Sequence, residues 1–269
     1  MDFSKVKLVV SDMDGTLLNT EGEVSTRFFN QFSQLKKHNV HFVAASGRQF
    51  HSIVDKLHTI QNDISIIAEN GGIMKFDDKE HVLLKLTTEN ITIAIETLRN
   101  IKDIFIVLCG RKSAYLETND SEFISRFKKY YSKYSIVEDL TKVTNDDFLK
   151  IAVFHFECSE TNIYPHIASL KPDMQVLVSG QNWLDISHAE ANKAYALRIL
   201  QQELGVTKAE TMVFGDYNND LQMLELADYS YAMANAHIQV KKIARYETKS
   251  NAEQGVEIIL DELISTKIG

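Results

Sequence analysis

The chain has 269 residues, which at roughly 150 per domain is length for one large or two ordinary domains. A composition of 44% hydrophobic and 25% charged residues, with only two prolines and eleven glycines, excludes a disordered, fibrous or linker-rich protein. Against 37 Asp+Glu stand 29 Lys+Arg and no long basic run, and the net charge of −8 disfavours nucleic acid and anionic membranes as partners.

Residues 6–10 form a short apolar, β-branched run that ends at Ser11-Asp12, which predicts a strand buried on both faces of a parallel sheet. Phe28, Phe32 and Leu35 fall on one helical face. Residues 41–45 predict a second strand closing on Ser46-Gly47-Arg48, and 49–57 a helix. A third strand at 64–68 runs into Glu69-Asn70-Gly71-Gly72. Strand and helix alternate, so this part is α/β with a parallel, Rossmann-like sheet.

The rhythm changes after Leu84. A helix is expected at 88–100, and strands at 104–108 and 114–117 turn at 110–113. A helical face follows on Ile124, Phe127 and Tyr131. A strand at 151–156, a helix near 163–170 and strands at 174–178 and 183–186 complete an αββαβαββ unit. From Asn192 the βα order resumes with a helix on Leu197, Leu200 and Leu204, a strand at 212–214 and a closing helix on Val256, Ile259, Leu260 and Leu263. The expected organisation is therefore a core in two segments, 1–84 and 187–269, interrupted by an inserted α+β domain at 85–186.

Cys109 and Cys158 lie far apart and outside any C-x-x-C pair, so both are expected as buried, reduced thiols. The first ten residues carry no signal-peptide layout, and no run approaches the roughly 20 apolar residues of a membrane helix. A cytoplasmic location is expected.

Ligands of open parallel sheets bind beyond the carboxyl ends of the strands. Four such ends here carry polar residues: Asp12-Met13-Asp14-Gly15-Thr16, Ser46-Gly47, Asn70-Gly71-Gly72 and Gly215-Asp216-Tyr217-Asn218-Asn219-Asp220. Two carboxylates two residues apart repel unless a cation or a shared proton compensates, and Asp12, Asp14 and Asp216 form an all-oxygen donor set that suits Mg2+ better than zinc. Gly15 permits a sharp turn whose amides can face an anion. A carboxylate nucleophile, Mg2+ and an anion nest together describe phosphoryl transfer through an aspartyl-phosphate. A calcium-loop reading of Asp12, Asp14 and Glu23 fails, since Leu17 stands where that loop needs glycine.

The order Asp12-Met13-Asp14-Gly15-Thr16, Ser46-Gly47-Arg48, Lys193 and Gly215-Asp216-Tyr217-Asn218-Asn219-Asp220 resembles the four motifs of the haloacid dehalogenase superfamily. The insert resembles the type C2B cap of its Cof-type phosphatases. Glu69-Asn70-Gly71-Gly72, Cys109-Gly110-Arg111-Lys112-Ser113-Ala114-Tyr115 and Ala232-Met233-Ala234-Asn235-Ala236 are similar to the sugar-phosphate phosphatase branch. The family has glycine where Ala194 and Ala234 stand.

The resemblance implies that Asp12 attacks phosphorus and binds Mg2+, and that Asp14 gives its carbonyl to the metal and its side chain as acid and base. It implies phosphate contacts from Ser46, the Gly47 amide and Lys193, metal ligation by Asp216, and outer-shell roles for Asn219 and Asp220, with Asn219 also a candidate for substrate binding. Asn70 reads either as a substrate contact or as a turn former. The expected activity is a Mg2+-dependent phosphohydrolase of small phosphorylated metabolites, sugar phosphates first. The alternatives are a phosphatase of nucleotide or flavin phosphates, a phosphomutase, and an inactive sensor of phosphorylated metabolites.

The inserted domain is expected to cover the site, with Arg111 and Lys112 or the turn Gly180-Gln181-Asn182 meeting the leaving alcohol. Arg126, Lys128, Lys129 and Lys133 read as a solvated helix face, and His155 and His188 as structural. No histidine spacing supports zinc, and no glycine-rich loop supports nicotinamide or ATP binding.

Overall fold

The computed structural model describes residues 2–170 and 173–268. In chain order the first segment runs β1 (Leu8–Ser11), α1 (Thr26–Lys37), β2 (His41–Ala45), α2 (Phe50–Lys56), β3 (Ser65–Ala68), β4 (Ile73–Phe76) and β5 (Lys79–Val82). The middle comprises α3 (Thr88–Leu98), β6 (Ile104–Gly110), β7 (Ala114–Leu116), α4 (Ser121–Phe127), β8 (Tyr134–Ile136), β9 (Phe148–His155), α5 (Ser159–Asn162), α6 (Tyr164–Ile167), β10 (Met174–Val178) and β11 (Trp183–His188). The last segment holds α7 (Lys193–Leu204), β12 (Thr211–Gly215), α8 (Leu221–Leu224), β13 (Tyr229–Ala232), α9 (Ile238–Ile243), β14 (Tyr246–Glu247) and α10 (Gly255–Ile268).

Among the described residues the first sheet has eight strands in the order β14-β13-β12-β1-β2-β3-β4-β5. Its pairs are parallel from β14 to β3 and antiparallel at β3-β4 and β4-β5. β1 is the hinge between early and late sequence: Leu8–Ser11 pairs with His41–Ala44 on one side and Thr211–Phe214 on the other. Alternation divides each central strand between two cores. Val9, Phe42, Ala44, Met212 and Phe214 join a cluster with Phe28, Leu35, Leu260 and Leu263 from α1 and α10. Leu8, Val10, Val43, Ala45 and Val213 face the opposite way, against Leu197 and Leu200 of α7. Burial on both faces accounts for the continuous apolar runs, and at about 1.5–3 kcal/mol per large apolar side chain it is the main force holding these strands.

The second sheet, again among the described residues, is β10-β11-β9-β6-β7-β8, antiparallel except for the parallel pair β7-β8. Several expectations are corrected here. The middle segment is αββαββαββ, with β8 added to the anticipated αββαβαββ, and the hairpin β4-β5 was also not anticipated. Phe123 and Phe127 form the buried face of α4, whereas Ile124 is only partly buried and Tyr131 lies beyond the helix. The helix expected near 163–170 is broken into single turns. Cys109 is buried as expected but Cys158 is only half-buried, and both thiols are free. No helix among the described residues is long and apolar enough to cross a membrane.

Candidate active site

Asp12 leaves the carboxyl end of β1 and Asp216 that of the adjacent β12, held level by the Ser11↔Phe214 register and by the Asp12 amide donating to the Phe214 carbonyl at 3.1 Å. Carboxylate oxygens of Asp12, Asp216 and Asp220 all lie within 4.8 Å of one another. Gly15 makes the intervening turn possible twice over. Its φ of +74° is left-handed, and a Cβ at that position would sit 2.2 Å from Asp216 Oδ2. Thr16 Oγ1 donates to the other Asp216 oxygen at 3.4 Å.

Lys193 opens α7, whose N-terminus is capped by Asn192 Oδ1 accepting from the Tyr195 amide. Its ammonium is fully buried, pairs with Asp12 Oδ1, and donates to Asp220 Oδ1 at 2.7 Å. Asp220 Oδ2 accepts from the amides of Asp216 (2.9 Å) and Tyr217 (3.2 Å), so both its oxygens are engaged. That leaves Asp12 and Asp216 as the members of the cluster with carboxylate oxygens open to a cation.

Burial and the neighbouring Asp220 and Asp14 push the Asp12 carboxyl up to about 7 against the pull of Lys193. Burial, Asp12 and Asp220 push Asp216 up to about 9. Both shifts share the same causes: burial first, and then three crowded carboxylates facing a single ammonium. A hard divalent cation fits this all-oxygen, positively deficient set.

Asp14 stands apart from this cluster, half exposed, with both oxygens on Arg48: Nε reaches Oδ2 and NH2 reaches Oδ1, each at 2.7 Å. Arg48 also donates through NH1 to Ser52 Oγ (3.1 Å) and to the Lys129 carbonyl (2.7 Å), and lies 5.1 Å from the Tyr130 ring centroid. Ser46 Oγ accepts from the Arg48 amide at 3.1 Å. Asn70 Oδ1 accepts from Asn219 Nδ2, and Asn70 Nδ2 donates to Asp185 Oδ2, both at 3.1 Å.

A cavity of about 600 Å³ lies between the two sheets, lined on one side by Asp12, Asp14, Ser46 and Asp216 and on the other by Tyr130 and Trp183. The turn Gly180-Gln181-Asn182 lines it, as expected of one candidate turn. Arg111 and Lys112 do not: Arg111 pairs with Glu80 at 2.8 Å, and Lys112 donates to the Asn145 carbonyl at 2.5 Å. Arg126 and Lys129, read as part of a solvated face, also line the cavity. His155 and His188 each accept from a nearby amide through Nδ1, in keeping with structural roles. Sequence reasoning quoted Arg48 without giving it a task, and missed Lys150 and Asp185 altogether. Each is a charged residue buried beside the cavity.

The profile of the haloacid dehalogenase-like hydrolase family matches residues 9–260. The 5-amino-6-(5-phospho-D-ribitylamino)uracil phosphatase YbjI of Escherichia coli is 30% identical over 262 residues, covering 96% of each chain. The putative phosphatase YxeH of Bacillus subtilis is 29% identical, covering 97% of this chain and 99% of its own. Among solved structures, SMU.1108c from Streptococcus mutans superposes with a TM-score of 0.89 at 29% identity, over 97% of this chain and 99% of that one.

Proposed function

This chain belongs to the haloacid dehalogenase-like hydrolase family, and on that premise we propose that it is a cytoplasmic, Mg2+-dependent phosphatase of small phosphorylated metabolites. The observation that carries the reading is the approach of Asp12 and Asp216, 204 positions apart in sequence (216 − 12), to within 4.8 Å at the ends of adjacent strands. Residues 1–84 and 187–269 are assigned to the catalytic core and 85–186 to its cap.

Lys193 holds one Asp12 oxygen and leaves the other without a donor among the described residues, so Asp12 has a bare oxygen to attack phosphorus. The new Asp12–phosphorus bond forms as the bond to the substrate oxygen breaks, and Asp14 gives that oxygen its proton. Asp14 then takes a proton from the water that attacks the aspartyl-phosphate, releasing phosphate and restoring Asp12. Ser46 and the Gly47 amide receive the phosphoryl oxygens, and Asn70 and Asn219 border the same space. Asp12, Asp216 and the Asp14 carbonyl would hold Mg2+, with Asp220 orienting Lys193 and the Asp216 amide. When bound, the ion supplies positive charge against the phosphoryl oxygens.

The substrates favoured first are sugar phosphates. A second reading, phosphates whose alcohol carries a planar ring, is supported by the Tyr130 and Trp183 wall and by the name of the E. coli relative. Assaying phosphate release with Mg2+ or EDTA tests the main reading, and Asp12→Asn is expected to lower turnover by at least about 10³-fold while the protein stays folded. An active Asp12→Asn protein overturns it. Phosphoryl exchange without net release indicates a phosphomutase, and silence on every phosphomonoester a sensor. Flavin mononucleotide compared with ribose 5-phosphate separates the two substrate readings.

A further inference from the structure

The loop Ser46-Gly47-Arg48 is held by its three carbonyls. That of Ser46 accepts from the Asn70 amide (3.1 Å) and that of Arg48 from the Glu69 amide (3.1 Å). The middle one, Gly47, accepts from Lys150 Nζ at 2.8 Å. The first two donors lie in the turn that follows β3, the strand paired with β2, from whose end the loop leaves. The third comes from β9 of the other sheet.

Glu69 and Asn70 both adopt left-handed backbone, with φ of 50° and 51°. Non-glycine residues adopt that region sparingly, and a pair of them side by side persists only where the surroundings dictate it. Here the two amides are thereby aimed at the Ser46 and Arg48 carbonyls.

A trans peptide sends each carbonyl and the following N–H to opposite sides. With the Gly47 carbonyl on Lys150, the Arg48 N–H is directed to Ser46 Oγ. Ser46 Oγ accepts there and keeps its own proton for another acceptor. The Gly47 N–H has no acceptor among the described residues, and Gly47 lines the cavity.

Lys150 donates hydrogen bonds to the Gly47 carbonyl and to Asp185 Oδ2 at 3.3 Å, and its ammonium also pairs with Glu69 Oε2 at 3.1 Å. The side chains of Lys150, Glu69 and Asp185 are all buried. Asp185 in turn accepts from Asn70 Nδ2, and Asn70 accepts from Asn219. One buried cation therefore joins two strands of the second sheet, β9 and β11, to two loops of the first.

We propose that Lys150 is a positioning residue for the phosphate-binding loop: by holding the Gly47 carbonyl it fixes the peptide plane that orients Ser46 Oγ, so the loop receives phosphate only with the second sheet docked. This rests on the reading of Ser46 and Gly47 as phosphoryl-binding groups. A lysine offered to solvent on a strand could not do this. Lys150 is 3% exposed and reaches across the junction.

The test is calorimetric titration of the full chain with inorganic phosphate in the presence of Mg2+, a readout that needs no turnover. Lys150→Met is expected to weaken phosphate binding by about tenfold, the loss of one charge-assisted hydrogen bond to the loop. Lys150→Arg, which keeps a donor there, recovers part of it. The Mg2+ concentration for half-saturation should stay unchanged, which a general loosening of the fold would not allow.

Removing the cation leaves Glu69 and Asp185 buried together, so Lys150→Met can fail to fold. The pair Lys150→Met with Glu69→Gln preserves the net charge of the cluster and is expected to show the same tenfold order of weakening. A folded variant that binds phosphate within about twofold of the wild type overturns the proposal. If the wild type hydrolyses phosphomonoesters and binds phosphate, that outcome removes the role of Lys150 alone. A wild type that binds no phosphate removes the loop assignment as well.

Discussion

Asp14 and Arg48 meet as fork and fork, two parallel contacts of 2.7 Å each, and the same guanidinium reaches the Lys129 carbonyl just beyond α4. Planar bidentate geometry of this kind fixes a carboxylate's direction as well as its charge. Asp14 is thereby aimed by a residue whose other arm ends on the opposite wall of the cavity.

Replacing the fork with a point charge breaks that aim. Arg48→Lys keeps the charge but offers one contact in place of two, so kcat is expected to fall by about 10–100-fold, the range for a misplaced proton-transfer group. Steady-state phosphate release measures it. A variant with wild-type kcat removes Arg48 from the acid's alignment.

Gly15→Ala adds an atom where 2.2 Å separates the Cβ position from Asp216 Oδ2, on backbone of φ +74°. Asp216 must move, and the Mg2+ needed for half-maximal activity is expected to rise by at least about tenfold. Titration of activity with Mg2+ reads this directly, and an unchanged half-saturation point counts against Asp216 as a ligand.

Three crowded carboxylates beside one ammonium also predict that the ion stabilises the fold. At free Mg2+ a hundredfold above its Kd the gain is about 2.7 kcal/mol, or roughly 5 °C in Tm. Thermal unfolding in Mg2+ and in EDTA should differ by that order. Coincident curves would show that no ion binds the native state preferentially.

Far from the site, Glu210 is held down to about 2 by Lys7 and by the Thr207 amide and hydroxyl, from an ordinary value of 4.5. Because its folded value lies below the unfolded one, its contribution is complete above pH 4.5 and disappears as pH falls toward 2. Acid unfolding of Glu210→Gln should therefore be less steep across that window than in the wild type. An identical acid limb would mean that the exposed Lys7 pair and the Thr207 cap carry no net stability.

Four strands of the parallel core, β1, β2, β3 and β12, were legible because they are buried on both faces, whereas β13 and β14 were not anticipated. Residues such as Val9 and Val43 have to be apolar wherever they point, and the run ends abruptly at a carboxylate. Asp12, Asp14 and Asp216 were legible for a local reason too, since each stands in a polar cluster directly after such a run. Lys150 and Asp185 were not. Each is a single charge in an alternating strand, and period two tells which residues share a face without telling what that face meets. Edge strands were missed for a different reason. In β5, Lys79, Glu80 and His81 are all exposed, so no burial pattern marks them.

The position of β1 between β2 and β12 carries a consequence for biogenesis. Its neighbour β2 is translated within some forty residues, but β12 is not complete until residue 215, so one flank of the central strand stays without its partner during most of synthesis. Long-range pairing of this sort is slow to form and leaves an adhesive edge in the meantime. The nascent chain should thus depend on chaperone shielding until its last quarter emerges, and a ribosome stalled after residue 190 would release a sticky fragment in place of a smaller working enzyme.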